Sequence, residues 1–292
     1  MQSPLKKIIV YDLETGGFDV HINRITEIAM VVIDLEMLEI EEEFSVMVKP
    51  NMNLNHMDEE PYKEAKKIIK LLATKDEDTN SKILTYKETP QSLKNYTFLE
   101  EELTEFYKYV NKLPSKVFNW EQLEEQLSGE WGEMFELYFN LTYNPEALEV
   151  TKISKELMLS EGVDVEEAVA QCKEMIERYT IGNNKPILAG HNIKKFDNAH
   201  FEDFMGGAMS LSRITNSFQI DTLEWARLRF FELSNFSLGT CANAVGITLT
   251  GAHRALPDTI ANAKLLIELL KGMRGEGSQE STYKRKKYTF NF

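Results

Sequence analysis

Three short acidic segments of this chain have residue types and spacings that could do chemistry. The first is Asp12-Leu13-Glu14, which follows the apolar run Ile8-Ile9-Val10-Tyr11. In an extended strand, residues two apart face the same side, so both carboxylates share one space. Carboxylates placed together repel unless a cation lies between them, and oxygen ligands of this kind suit Mg²⁺ or Mn²⁺. A strand simply running out to solvent would show the same pair. The second segment is Gly190-His191-Asn192 followed by Lys194-Lys195-Phe196-Asp197. Here a strand ends and a helix begins, which puts Asp197 where open sheets place ligand sites; an N-cap for the helix is the other reading. The third is His253-Arg254-Ala255-Leu256-Pro257-Asp258-Thr259. Pro257 suits a first helical turn, and Asp258 in that turn lies near the positive end of the helix dipole. His253, in the loop entering the helix, could take a proton from an attacking water near neutral pH, or be a hydrogen-bonded loop residue.

These segments need elements that hold them. KKIIVYDLETGG reads as a buried strand running into a loop with paired glycines. Two further strands, Ile25–Ile33 and Glu43–Val48, follow before Pro50 and suggest a meander forming half a sheet. From about Asn51 to Asn144 the pattern becomes helical and rich in Lys and Glu, as in EEPYKEAKKIIKLLA and FLEEELTEFYKYVNKLP. The polar stretch TKDEDTNSK between them reads as an exposed loop. Trp120, Trp131, Phe135, Tyr138 and Phe139 form an aromatic group, read as a small helical core or as a platform for unpaired bases. Beyond it come an amphipathic helix (VDVEEAVAQCKEMIERYT), a short strand (KPILAGHN), a strand entering a helix (SFQIDTLEWARLRF), and helices in LSNFSLGTCANAVGI and HRALPDTIANAKLLIELLKGM. The tail from residue 276 carries the basic run Tyr283-Lys284-Arg285-Lys286-Lys287-Tyr288 and is expected to be flexible; it reads as a segment that holds a nucleic-acid strand or docks on a partner, or equally as a disordered solubilising tail.

The 292 residues, 42% of them hydrophobic, can build a core without disulfides. Cys172 and Cys241 sit in apolar helical contexts with no metal-ligand spacing and read as buried reduced thiols. The chain shows no secretion signal and no run of about 18 apolar residues, so a cytoplasmic location is expected. A net charge of −14 argues against a protein that coats nucleic acid. It is compatible with a small acidic site whose sign bound metal ions reverse.

Taken together and in this order, the motifs D-x-E, H-N-x₃-F-D and H-x-A-x-x-D resemble the DEDDh exonucleases, the DnaQ-like proofreading family. The resemblance extends to Ile220-Asp221-Thr222-Leu223 with Ala226-Arg227, to Ser237 through Ile247, and to Asn144-Pro145-Glu146-Ala147 with Val150 and Ile153. It covers about residues 5–50 and 143–272. The middle motif carries one residue more between Asn192 and Phe196 than the commonest proofreading version.

The resemblance implies an α/β fold, a ribonuclease-H-like mixed five-stranded sheet flanked by helices, with a largely helical insertion of roughly 90 residues. The expected division is an exonuclease domain of residues 1–50 and 143–275, an insertion at 51–142, and a basic, aromatic tail at 276–292. It further implies 3′→5′ exonuclease activity releasing nucleoside 5′-monophosphates. Two divalent cations, Mg²⁺ or Mn²⁺, would be held by Asp12, Glu14, Asp197 and Asp258 about 3.5–4 Å apart, and His253 would deprotonate the attacking water. Leu13, Thr15, Gly16, His191, Asn192, Lys194, Lys195 and Arg254 are the expected substrate contacts. DNA with a free 3′ end, single-stranded or frayed, is the favoured substrate, and RNA the alternative, since discrimination rests on contacts to the 2′-OH. A DNA polymerase or other replication protein is a candidate partner through the insertion or tail. A partner-binding protein on the same fold would be expected to have lost a metal carboxylate or His253, and all five residues are present.

Overall fold

The computed structural model describes residues 6–20, 23–53, 117–119, 124–125, 132–249, 251 and 253–276. The expected helices of EEPYKEAKKIIKLLA and FLEEELTEFYKYVNKLP, the loop TKDEDTNSK, Trp120, Trp131 and the basic tail lie outside these residues, as does the side chain of Tyr138. The chain divides into two compact units. The first comprises residues 1–13, 27–46 and 169–292, and the second residues 14–26 and 47–168.

Five strands form the main sheet: β1 (Lys7–Thr15), β2 (Ile25–Asp34), β3 (Glu39–Met47), β6 (Ile187–Gly190) and β7 (Gln219–Asp221). They lie in the order β3-β2-β1-β6-β7. The centre, β1, is buried along Ile8-Ile9-Val10-Tyr11, as its unbroken apolar run requires. It runs parallel to β6, with Ile8 opposite Ile187 and Val10 opposite Ala189. Strand β6 runs parallel to β7, with Gly190 opposite Asp221. Parallel pairing brings the carboxyl ends of β1, β6 and β7 to one edge of the sheet, the edge that carries the first two acidic motifs. At Gly190 a Cβ would meet the Tyr11 carbonyl at 2.9 Å and Ile193 Cγ2 at 2.1 Å, so only glycine allows the chain to turn this close to β1.

The edge strand β3 begins at Glu39, earlier than the expected Glu43. Its burial alternates between exposed and half-buried along EIEEEFS, as befits an edge strand with one face in water.

Behind the sheet lies α9 (Ala255–Arg274). Its Ala263, Leu266 and Ile267 pack on Ile8, Val10, Val31, Ile33 and Ile220. Its Leu265 and Leu269 pack on Ala226 and Phe230, from α7 (Thr222–Arg229) and its C-cap, and on Cys241 of α8 (Leu238–Ala244). Each such aliphatic side chain contributes about 1.5–3 kcal/mol on full burial, so the start of α9 is fixed by the body of the helix. Cys172 and Cys241 are both free and buried; burial pushes the Cys172 thiol up to about 12.

In the second unit, β4 (Asn51–Asn53) pairs antiparallel with β5 (Val117–Asn119). The helices α1 (Gly132–Thr142), α2 (Pro145–Thr151) and α3 (Lys155–Glu161) follow. Phe135 and Phe139 of α1 are buried, and the Phe139 ring lies 5.1 Å from that of Tyr143. These two aromatics serve a core. Helix α2 starts as its sequence dictates, with Asn144 accepting from the Glu146 N–H and Pro145 in the first turn. Of the remaining helices, α4 is Val165–Arg178, α5 is Asp197–Phe204 and α6 is Ala208–Ile214.

Candidate active site

Carboxylate oxygens of Asp12, Glu14 and Asp258 all lie within 4.8 Å of one another. Asp12 and Glu14 are two positions apart on β1, so the strand itself turns both the same way. Asp258 enters from the first turns of α9. Its Oδ2 accepts the main-chain N–H of His253 at 3.2 Å. Its Oδ1 is buried without a hydrogen-bond partner among the described residues, and burial pushes the carboxyl up from its ordinary range.

Asp197, the first residue of α5, is not one of the three. It is buried beside β1, near the main-chain N–H groups of Leu13 and of its own residue, which favour the charged form. Burial outweighs them and pushes this carboxyl up to about 7, and the nearby Asp221 adds to the rise. Tyr11 anchors the same helix to the strand: its hydroxyl donates to Asn198 Oδ1 at 2.6 Å and its ring stacks 4.9 Å from Phe201. His253 is exposed and holds a left-handed backbone, φ 67°. That conformation costs on the order of 1–3 kcal/mol for a residue with a side chain unless its surroundings enforce it.

Three carboxylates with oxygens within 4.8 Å of one another, one with an orphaned buried oxygen, form an unfavourable cluster unless a cation joins them. The all-oxygen donor set fits a hard divalent ion such as Mg²⁺ or Mn²⁺. Asp12, Glu14 and Asp258 are the side chains placed to hold it.

The family model described as RNase_T, exonuclease, matches residues 9–65 and 124–266. The chain belongs to this exonuclease family. Its curated relatives include DNA polymerase III PolC-type proteins. That of Bacillus cereus is 33% identical over 130 residues, covering 44% of this chain and 8% of the relative. That of Staphylococcus epidermidis is 28% identical over 214 residues, covering 70% and 14%. The chain thus spans 14% or less of the length of these relatives. Among solved structures, exonuclease I of E. coli in complex with a dT13 oligonucleotide superposes with a TM-score of 0.51 at 13% identity, covering 93% of this chain and 43% of that one. An exonuclease I from Methylocaldum szegediense gives 0.51 at 16%, covering 92% and 41%. These likenesses show a shared fold, the ribonuclease-H-like sheet flanked by helices. No helix among the described residues is long and apolar enough to cross a membrane.

Several positions expected to meet substrate also make bonds within the chain. His191 Nε2 lies 2.8 Å from the Phe236 carbonyl, which can only accept, so this nitrogen carries the proton. Its Nδ1 lies 3.0 Å from Thr222 Oγ1, and burial lowers the pKa of the ring and favours the neutral form. Asn192 donates its main-chain N–H to Asp221 at 2.9 Å, and Lys194 pairs with Glu224 at 2.7 Å. Lys195 is exposed. Leu13 and Thr15 are buried, and the Thr15 hydroxyl donates to the Gly17 carbonyl at 2.6 Å. The space left by Gly16 is taken by its own chain: a Cβ there would lie 2.4 Å from the Thr142 carbonyl oxygen and 2.7 Å from Tyr143 Cα. Arg254 is engaged by Glu27 through two nitrogens.

Glu27 and Asp221 were not singled out from the sequence. Both are buried acids, and Asp221 also caps α7 through the Leu223 N–H. The signal for Glu27 was present, since it is the one charged residue within the apolar run Ile25–Ile33.

Proposed function

We propose that this chain is a metal-dependent 3′→5′ exonuclease that releases nucleoside 5′-monophosphates from the 3′ end of DNA. The observation that carries this reading is the meeting of Asp12, Glu14 and Asp258 within 4.8 Å in a chain of the RNase_T exonuclease family. Asp12, Glu14 and Asp258 hold divalent cations, with Asp197 joining them directly or through water. When bound, the cations supply charge stabilisation at the attacking and leaving oxygens. The exposed imidazole of His253 accepts the proton of the attacking water through a ring nitrogen and exchanges it with solvent. The buried sheet edge excludes bulk water from Asp197 and raises the electrostatic leverage of the carboxylates.

DNA is favoured because the relatives are DNA polymerase III PolC-type proteins, and because exonuclease I of E. coli, which shares the fold, is seen in complex with a DNA oligonucleotide. The same relatives make a replication polymerase the candidate partner. The proposed catalytic domain is 1–50 with 143–275, interrupted by an insertion at 51–142. The family model leaves residues 66–123 unmatched, which supports an interruption there.

The test is a time course on matched DNA and RNA oligonucleotides labelled at either end, in Mg²⁺, Mn²⁺ or EDTA, with Asp12→Ala as control. A metal-dependent ladder shortening from the 3′ end, absent in the variant, is expected, with DNA degraded faster than RNA. Activity surviving in Asp12→Ala would remove the metal assignment, and faster RNA cleavage would transfer the reading to RNA.

A further inference from the structure

Helix α9 carries Asp258 and follows His253, yet its N-cap residue, Arg254, makes no side-chain capping bond. The amide at the helix start is satisfied from β2 instead. Glu27 Oε2 accepts the Ala255 N–H at 3.0 Å. The same carboxylate takes both arms of the Arg254 guanidinium, Nε at 3.0 Å and Nη2 at 2.8 Å. Glu27 is 5% exposed. A buried carboxylate costs free energy unless it is paired and hydrogen-bonded, and these three donors meet that condition. Its negative charge also lies at the positive end of a 20-residue helix.

The consequence falls on the neighbouring residue. His253 holds a left-handed backbone, which persists where both flanks are held. On one flank Glu27 holds Arg254 and Ala255; on the other, Asp258 Oδ2 takes the His253 N–H. We propose that Glu27, acting through the Arg254 fork, is a positioning residue that sets the His253 turn and the approach of Asp258 to Asp12 and Glu14. Arg254 is spent on this bond and is not a phosphate contact. The proposal rests on the exonuclease reading, with His253 and Asp258 in the roles given there.

Two roles for Arg254 separate cleanly. A phosphate contact would be read in KM and in the salt dependence of binding, and would not involve Glu27. A positioning pair would be read in kcat and in metal affinity, equally from either partner. The variants are Glu27→Gln, Arg254→Lys (which keeps the charge and loses the fork) and the double variant. Each is measured for kcat and KM on a DNA oligonucleotide and for Mn²⁺ affinity by calorimetry or electron paramagnetic resonance without nucleic acid. Residues that orient metal ligands typically contribute 10–100-fold. The expected result is a 10–100-fold loss in kcat with KM within about twofold, and at least about threefold weaker Mn²⁺ binding. The double variant should lose no more than the worse single one. If Glu27→Gln melts below the assay temperature, Arg254→Lys carries the same comparison, because its charge and the aliphatic part of its side chain are kept. The proposal is overturned if Arg254→Lys raises KM with kcat and Mn²⁺ affinity unchanged, or if the two single effects multiply. Wild-type protein that cleaves no 3′ end while binding Mn²⁺ would overturn the exonuclease reading and leave the Mn²⁺ comparison to judge Glu27 by itself.

Discussion

Replacing Asp258 with asparagine should stabilise the metal-free protein while removing its response to metal. The carboxylates of Asp12, Glu14 and Asp258 approach within 4.8 Å. At an effective dielectric of about 20, two unit charges at that separation repel by ~3.5 kcal/mol. Asp258 has two such neighbours but, like them, is only partly buried, so water and salt screen most of the repulsion. A net relief of ~1–2 kcal/mol is expected on neutralisation. Asparagine matches aspartate in shape, and its carbonyl oxygen can accept the His253 N–H as Oδ2 does. In a chain of this size ~1 kcal/mol moves Tm by roughly 2–4 °C. Asp258→Asn should therefore melt roughly 2–8 °C above wild type in EDTA. Metal reverses the order: an ion at a hundred times its Kd stabilises the folded state by ~2.7 kcal/mol, a gain that wild type makes and the variant largely forgoes. Thermal unfolding by circular dichroism, in EDTA and in a Mn²⁺ series, reads both effects. A variant that melts below wild type in EDTA, or gains as much from Mn²⁺, would refute the charge-cluster reasoning.

In metal-free protein, Asp197 keeps its proton up to about 7, whereas its ordinary value is 3.8. Its stabilising contribution is thus fully present below the ordinary value and lost as pH rises through about 7. The Tm of wild type in EDTA should climb relative to Asp197→Asn as pH falls from 8 towards 5, and parallel curves would count against the shift. Gly16→Ala drives a methyl group into the Thr142 carbonyl and Tyr143 Cα, an overpacking that costs about 1–3 kcal/mol. Chemical denaturation should register the loss, and an unchanged midpoint would mean that the loop moves freely away from residues 142–143.

Much of the site could be read from the sequence because its parts are local. The D-x-E pair needs only the two-residue period of a strand, and Asp258 needs only the proline and dipole cues of a helix start. The sheet edge that brings Asp197 beside Leu13 was implied by the family resemblance, while the residues themselves showed only a strand-to-helix junction at Asp197. Long-range pairings left no such trace. Glu27 meets Arg254 across 227 positions, and nothing near either residue names the other. β4 and β5 pair across the stretch between residues 53 and 117 with three residues each, too short for a periodic signal. The start of β3 was missed because the outward face of an edge strand carries glutamates, which read as loop. His191, Lys194 and Arg254 have bonding partners on other elements, the Phe236 carbonyl, Glu224 and Glu27, which a one-dimensional pattern cannot show.

Asn192 and His253 share a backbone conformation, φ 69° and 67°, and each precedes an aspartate of the site by five positions. Position 253 is consequently screened twice. Foldability admits the few residues at ease in the left-handed region, glycine and asparagine foremost, with histidine tolerated. The proton transfer proposed for this position admits histidine. A lineage released from the reaction would therefore drift towards glycine or asparagine at 253 and gain in stability, while one kept under selection for turnover would retain a residue that its own turn does not prefer.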